Sequence, residues 1–274
     1  MKIITKLIGF LVNIVSLFSK RTAGKIALYL FTTPRRGRIN EKQSDFLGTA
    51  FREEIDYKDT SIMTYRWLGN RKTILLVHGW ESNSARWQPL IDQLKKHHYS
   101  IIALDAPAHG RSGSKRFTAI QYAEFIQVVS KKFSPDIIIG HSAGGMASAI
   151  YQSKYSAHKK ENLILLGTPS EFTDVLNRYF KMMSYNNRVI DGVYRLIKEQ
   201  FNADPSEFST AKLLKSMTSK GLIIHDKNDN IIPYSDALII NQSYKHSNLI
   251  TTNGFGHSLN NNQVYKSIHE FIAS

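Results

Sequence analysis

The chain has 274 residues, 42% hydrophobic and 21% charged, with no cysteine. That length and balance fit a globular protein with one large α/β domain and exclude a disordered chain, while the lack of cysteine excludes disulfides, thiol catalysis and thiolate metal sites. The net charge of +14 favours anionic partners such as a phospholipid face or an acidic substrate, but it is spread along the chain with no long basic run, which argues against nucleic acid as the main partner.

Ile4, Leu7, Ile8, Leu11, Ile14, Val15 and Phe18 recur at helical spacing, with Lys2, Thr5, Lys6, Gly9, Asn13, Ser16 and Lys20 on the opposite face. The spacing predicts an amphipathic helix over residues 3–18, too short and too polar on one side to span a bilayer. Met1-Lys2 before an apolar stretch resembles a signal peptide, yet Lys6 and Asn13 interrupt that stretch, Lys20-Arg21 follow it, and there is no A-x-A cleavage site. A second stripe, Ile26, Ala27, Leu30 and Phe31, leads into the turn Thr33-Pro34-Arg35-Arg36-Gly37-Arg38. Residues 1–40 therefore read as an amphipathic helical extension. Residues 1–38 fit an anchor lying on an anionic membrane, apolar face down and arginines toward lipid phosphate. They fit equally a helical extension packed on the domain or on a second copy. An uncleaved signal or signal-anchor is a third, weaker reading. The location expected is cytoplasmic, peripheral on the inner membrane face if the extension docks there.

Residues 41–274 read as one domain. From residue 50 on, strand and helix patterns alternate, as in a parallel sheet with crossover helices. Glu54 to Leu68 predicts an opening antiparallel pair, and Thr73-Ile74-Leu75-Leu76-Val77 a fully buried strand. A helix over Arg86 to His97, a strand over Ser100 to Leu104 and a helix over Phe117 to Phe133 follow. Asp136 to Ile139 is a strand, Gly144 to Tyr155 a helix and Asn162 to Leu166 a strand. The last strands are Gly221 to His225 and Asn248 to Thr252, then a helix over Asn262 to Ile272. Between Leu166 and Gly221 the chain is helical and amphipathic, which predicts a cap inserted at about 171–219 that shapes the pocket.

Gly140-His141-Ser142-Ala143-Gly144 lies between the apolar run Ile137-Ile138-Ile139 and a helix-prone run. Strand, G-x-S-x-G, helix is the pattern of a nucleophile elbow. The turn crowds its own backbone, and glycines two positions either side of the serine relieve that crowding. The new helix aims free N–H groups at the serine, where negative charge develops in acyl transfer.

A serine hydroxyl needs a base to take its proton, and the base needs an acid to hold its tautomer. Asp229 is the candidate acid, in the polar turn of His225-Asp226-Lys227-Asn228-Asp229-Asn230-Ile231-Ile232-Pro233; Asp226 is its rival. His257, in Gly254-Phe255-Gly256-His257-Ser258, is the histidine that combines a loop context with a place after the last strand. His269 falls in a helix, and His97, His98, His158 and His246 read as solvent-facing. Val77-His78-Gly79-Trp80 places the Trp80 N–H near the elbow, so Trp80 and Ala143 form a candidate two-donor oxyanion hole.

With these motifs, and with Asp105-Ala106-Pro107-Ala108-His109-Gly110-Arg111-Ser112, the chain from about residue 50 resembles the α/β-hydrolase superfamily. The resemblance implies an α/β-hydrolase fold: a mostly parallel eight-stranded sheet flanked by helices, with a helical cap. The family order of nucleophile, acid and histidine is kept as Ser142, Asp229, His257. In the family pattern the acid stands a few residues past a glycine at the strand end; here Asp226 takes that glycine's place. The segment containing His109 resembles a structural loop bordering the site, without a catalytic role for His109. Relatives that are dehalogenases or epoxide hydrolases carry an aspartate at the elbow, where this chain has Ser142.

The expected activity is serine hydrolysis of an ester or thioester of an apolar acyl group, on a small-molecule or lipid substrate, with no cofactor or metal implied. Acyl transfer to an alcohol or amine uses the same triad. A membrane- or partner-binding protein on a hydrolase scaffold is the non-enzymatic alternative.

Overall fold

The computed structural model describes residues 2–156 and 161–274. Strands β1 (Phe51–Tyr57) and β2 (Thr60–Trp67) form an antiparallel hairpin, and β2 also runs antiparallel to β4 (Ser100–Leu104). From there the sheet is parallel through β3 (Thr73–Val77), β5 (Ile137–His141), β6 (Asn162–Leu166), β7 (Gly221–Asp226) and β8 (Ser247–Thr252). The order across the sheet is β1-β2-β4-β3-β5-β6-β7-β8. This is the mostly parallel, eight-stranded sheet expected from the alternation of patterns.

Both faces of the central strands are covered, which is why they read as continuous apolar runs. Successive side chains alternate sides. Leu75, Val77, Ile102 and Ile138 pack beneath α5 (Ala119–Phe133) and α6 (Ala143–Tyr155). Ile74, Leu76, Ile101 and Ile139 pack beneath α4 (Gln88–Lys96), α11 (Asn262–Ala273) and α3 (Glu41–Leu47). The register pairs Val77 with Leu104 and Gly140, and His141 with Leu166, so the carboxyl ends of the strands finish level.

Three expectations are adjusted. The helix expected from Arg86 begins as a 3₁₀ turn, Ser84–Trp87, before α4, whose first turn holds Pro89, a residue with no N–H to leave unpaired there. Helix α10 (Tyr234–Ser243) has no predicted counterpart: Ala237-Leu238-Ile239-Ile240 is apolar without a helical stripe, because only part of it faces the sheet. His97 is not free in solvent but stacks on His269 with ring centroids 3.7 Å apart. His158 lies outside the described residues.

The insertion after β6 is a closed excursion. Glu171 bridges Ser209, and Thr210 N–H donates to the Ser170 carbonyl at 2.7 Å, which ties the two ends into a neck. Helices α7 (Phe172–Met183) and α8 (Asn187–Phe201) stand beyond that neck as a cap, while α9 (Thr210–Leu214) returns to pack on α6 and α10.

Helices α1 (Lys2–Phe18) and α2 (Lys20–Thr32) pack on the cap, where Val12, Ala23 and Ala27 join Leu176, Phe180, Val189 and Val193 in a third core. Where α2 meets α8 the backbones nearly touch: a side chain on Gly24 or Gly192 would overlap the partner backbone. The extension thus packs on its own protein, but α1 is rotated away from the orientation a packed amphipathic helix would take. Its buried side carries Gly9, Val12 and Ser16, and its predicted apolar face is mostly exposed. The reason is polar. Asn13 donates to the Ser184 carbonyl and accepts from Asn186 N–H, both at 2.9 Å, and Arg188 Nε donates to the Ser16 carbonyl at 2.8 Å. Gly9, which lacks a side chain, lets α1 close onto the Met183 carbonyl.

The arginine turn is also partly redirected from the lipid-facing role expected of it. The Arg38 guanidinium donates to the carbonyls of Gly110 and Ser112 at 3.1 and 3.3 Å, bracing the loop after β4.

Candidate active site

Ser142 follows β5 and caps α6 with φ 53° and ψ −123°, a conformation that L-residues seldom adopt. The flanking glycines are sterically required. A Cβ on Gly140 would lie 2.6 Å from Gly145 Cα, and one on Gly144 would lie 2.3 Å from the His78 carbonyl oxygen. The elbow therefore holds Ser142 at the level carboxyl edge of the sheet, at the start of α6.

Asp229, in the loop after β7, and His257, in the loop after β8, meet Ser142 there. His257 Nδ1–H donates to Asp229 Oδ2 at 2.7 Å, and Ser142 Oγ–H donates to His257 Nε2 at 3.0 Å. Burial pushes the Asp229 carboxyl up, but hydrogen bonds from His225, His257 and the Ile232 N–H outweigh it and hold it well below the usual carboxylate range. Its Oδ1 accepts the N–H groups of Ile231 and Ile232 at 2.8 and 2.9 Å, which leaves Oδ2 for the histidines. An ionised Asp229 sets the His257 tautomer: the proton sits on Nδ1, and the Nε2 lone pair faces the serine.

The rival carboxylate, Asp226, turns elsewhere. It accepts from Thr252 Oγ1 at 2.7 Å and from Phe255 N–H at 2.9 Å, and so anchors the start of the loop that carries His257. Burial raises this carboxyl, but its hydrogen bonds leave it below the ordinary value.

Trp80 follows β3, on the opposite side of Ser142 from the β7 and β8 loops in sheet order, and Ala143 opens α6 next to the serine. Among the described residues neither N–H donates to a protein acceptor. A Cβ on Gly79 would sit 3.1 Å from Ser142 Cβ, so the glycine before Trp80 keeps this strand end close to the serine. The Trp80 ring packs edge-on against Phe117 and His109.

Three supporting residues have no role that their sequence context predicts: His141, Arg86 and Gly167. His141 Nε2–H donates to the His257 carbonyl at 2.8 Å, and Arg86 donates to the Ser258 carbonyl at 2.9 Å. Burial, with Arg86 and His257 nearby, keeps the His141 imidazole well below its usual range and therefore neutral. Gly167, beside His257 and Asp229, has φ 54°, the left-handed region that favours glycine. The available signal was a set of polar residues at the ends of apolar strands, where a buried polar group must find a partner.

The loop Asp105–Ser112 borders the site as a framework. Asp105 accepts from Ser84, Tyr65 and Arg111 N–H within 2.7–2.9 Å. Both His109 nitrogens are occupied: Nδ1–H donates to the Pro107 carbonyl at 2.8 Å and Nε2 accepts the Glu81 N–H at 2.9 Å. No group of three or more His, Cys, Asp or Glu suited to a metal ion occurs among the described residues.

Residues 72–194 match the family model described as the alpha/beta hydrolase fold. The chain is 21% identical over 251 residues to a pimeloyl-[acyl-carrier protein] methyl ester esterase of Xylella fastidiosa, covering 75% of this chain and 97% of that one. Est1E from Butyrivibrio proteoclasticus, solved with ferulic acid bound, superposes with a TM-score of 0.66 at 17% identity, over 81% of this chain and 98% of that one. The esterase EaEST from Exiguobacterium antarcticum gives a TM-score of 0.62 at 17% identity, over 82% and 100%. With its sheet order, its elbow and these likenesses, the chain has the α/β-hydrolase fold and is similar to esterases that share it.

Proposed function

We propose that this esterase-like hydrolase is a serine enzyme that cleaves a carboxylic ester or thioester of an apolar acyl group through an acyl-enzyme. The observation that carries this reading is the continuous relay from Asp229 Oδ2 through His257 to Ser142 Oγ, at 2.7 and 3.0 Å. Ser142 Oγ attacks the substrate carbonyl while His257 Nε2 takes its proton. The imidazolium that forms is stabilised by the ionised Asp229. The carbonyl oxygen becomes an oxyanion, bound by the free N–H groups of Trp80 and Ala143. The intermediate collapses, the bond to the alcohol or thiol breaks, and His257 returns the proton to that leaving group. Water then attacks the acyl carbon, His257 takes its proton, and the acid leaves as Ser142 regains its hydrogen. The methyl ester in the name of the Xylella relative falls within this substrate class.

A fluorophosphonate probe, which reacts with activated serines, tests the reading. The wild type should label, and Ser142→Ala and His257→Ala should not. Hydrolysis that persists at the wild-type rate in Ser142→Ala would exclude the mechanism.

A further inference from the structure

The polar interlock between α1 and the turn joining α7 to α8 has a consequence for the opposite side of α1. With Gly9, Asn13 and Ser16 committed to the cap, the helix has no freedom to roll its apolar residues inward. Ile3, Leu7, Phe10, Leu11, Leu17 and Phe18 remain between 54% and 87% exposed. At a period of 3.6 residues these positions share one side of the helix, so they form a continuous stripe rather than scattered surface residues.

We propose that this outward face of α1 is a docking surface for an anionic phospholipid bilayer, and that it carries the cap onto that surface. Charge selects this occupant. Residues 1–40 contain eight Lys and Arg and no Asp or Glu, so more than half of the chain's net +14 lies in this segment. Lys6 is exposed on α1 and Lys25 on α2, while Lys20 and Arg21 are answered only in part, by surface pairs with Asp191 and Glu199. A second copy seated on the stripe would bring two such basic segments together with no acidic residue of either to offset them. An anionic headgroup layer supplies both the negative charge and the acyl region that the stripe needs.

The helix lies along the interface and does not cross it. It has 17 residues, and no helix among the described residues is long and apolar enough to span a membrane. Because α1 is joined to the cap by hydrogen bonds and by the shared core around Val12, the bilayer bears on the cap itself.

The test is sedimentation of the full chain with vesicles of phosphatidylcholine alone, and of phosphatidylcholine with phosphatidylglycerol. The wild type should partition onto the anionic vesicles and be released as salt rises. Leu7→Glu/Leu11→Glu should weaken that partitioning about 100-fold with an unchanged melting temperature. If this pair lowers the melting temperature, Ile3→Asp/Phe18→Asp, at the two most exposed positions, replaces it with the same expectation. Failure of the wild type to bind anionic vesicles overturns the proposal, as does binding that survives the substitutions in a folded variant. A dimer by light scattering that dissociates in Leu7→Glu/Leu11→Glu, with no vesicle binding, also overturns it and assigns the stripe to a second copy.

Discussion

His141 Nε2–H donates to the backbone carbonyl of His257 at 2.8 Å, so the residue before the elbow serine holds the loop that carries the proposed base. The bond runs between the ends of strands that are not neighbours in the sheet, β5 and β8. It fixes His257 from its main chain, while Asp229 fixes it from its ring.

His141 is therefore a positioning residue. His141→Ala should lower kcat about 10–100-fold with little change in KM, because a small displacement of the base costs rate rather than ground-state binding. His141→Gln, which keeps a side-chain donor, should recover part of the loss. Equal losses in both variants would mean that ring packing, not the hydrogen bond, is what matters.

The two aspartates of the β7 loop should separate in experiment. Asp229→Asn should reduce kcat by about 10⁴-fold, since an amide cannot hold the Nδ1–H tautomer. Asp226→Asn should act mainly on stability, by weakening the anchors to Thr252 and Phe255. Its melting temperature should fall, and its rate loss should stay within about tenfold. A reversal of this pattern in the two variants would reassign the acid to Asp226.

Stability should fall as the solution is acidified through the histidine range. His78 and His141 are buried, and burial drives both imidazoles well below their ordinary value. Below about pH 6.5 the unfolded chain takes up protons at these sites and the native state does not. Their neutral forms thus support the fold fully above the unfolded value, and that support is lost as pH drops below it. Between pH 7.5 and 5.5 the loss approaches about 1.4 kcal/mol for each such histidine. Urea unfolding at the two pH values measures it, and His141→Gln should remove its share of the slope. A midpoint that is the same at both pH values would mean that the native state accepts these protons.

The crossing of α2 and α8 should tolerate no added bulk. A Cβ on Gly192 would stand 2.2 Å from the Lys20 carbonyl oxygen. Gly192→Val should force the helices apart and cost about 1–3 kcal/mol in chemical unfolding. Gly192→Ala should cost less, and in the same direction. An unchanged unfolding midpoint in Gly192→Val would mean that α2 is not held against the cap in solution.

The sequence by itself determined the parts of this protein that local physics controls. Buried strands such as Thr73–Val77 and Ser100–Leu104 are apolar from their second residue on, because helices cover both sides of the sheet. The elbow was legible because a Cβ on Gly140 or Gly144 would come within 3 Å of backbone, a steric demand that few other residues satisfy. The chain order of Ser142, Asp229 and His257 follows from loops that each end a strand.

Tertiary structure alone decided what depends on distant partners. Asp226 and Asp229 share one polar turn, and only the return of the β8 loop assigns one to Thr252 and Phe255 and the other to His257. The pattern of α1 specified an amphipathic helix but not which side faces inward. In a helix packed on the domain, periodicity would bury the apolar side, but Asn13, Ser16 and Gly9 find complementary groups near residues 183–188 of the cap. Directional hydrogen bonds and close backbone contact set the rotation of α1, and neither can be read from the hydrophobic period of one segment.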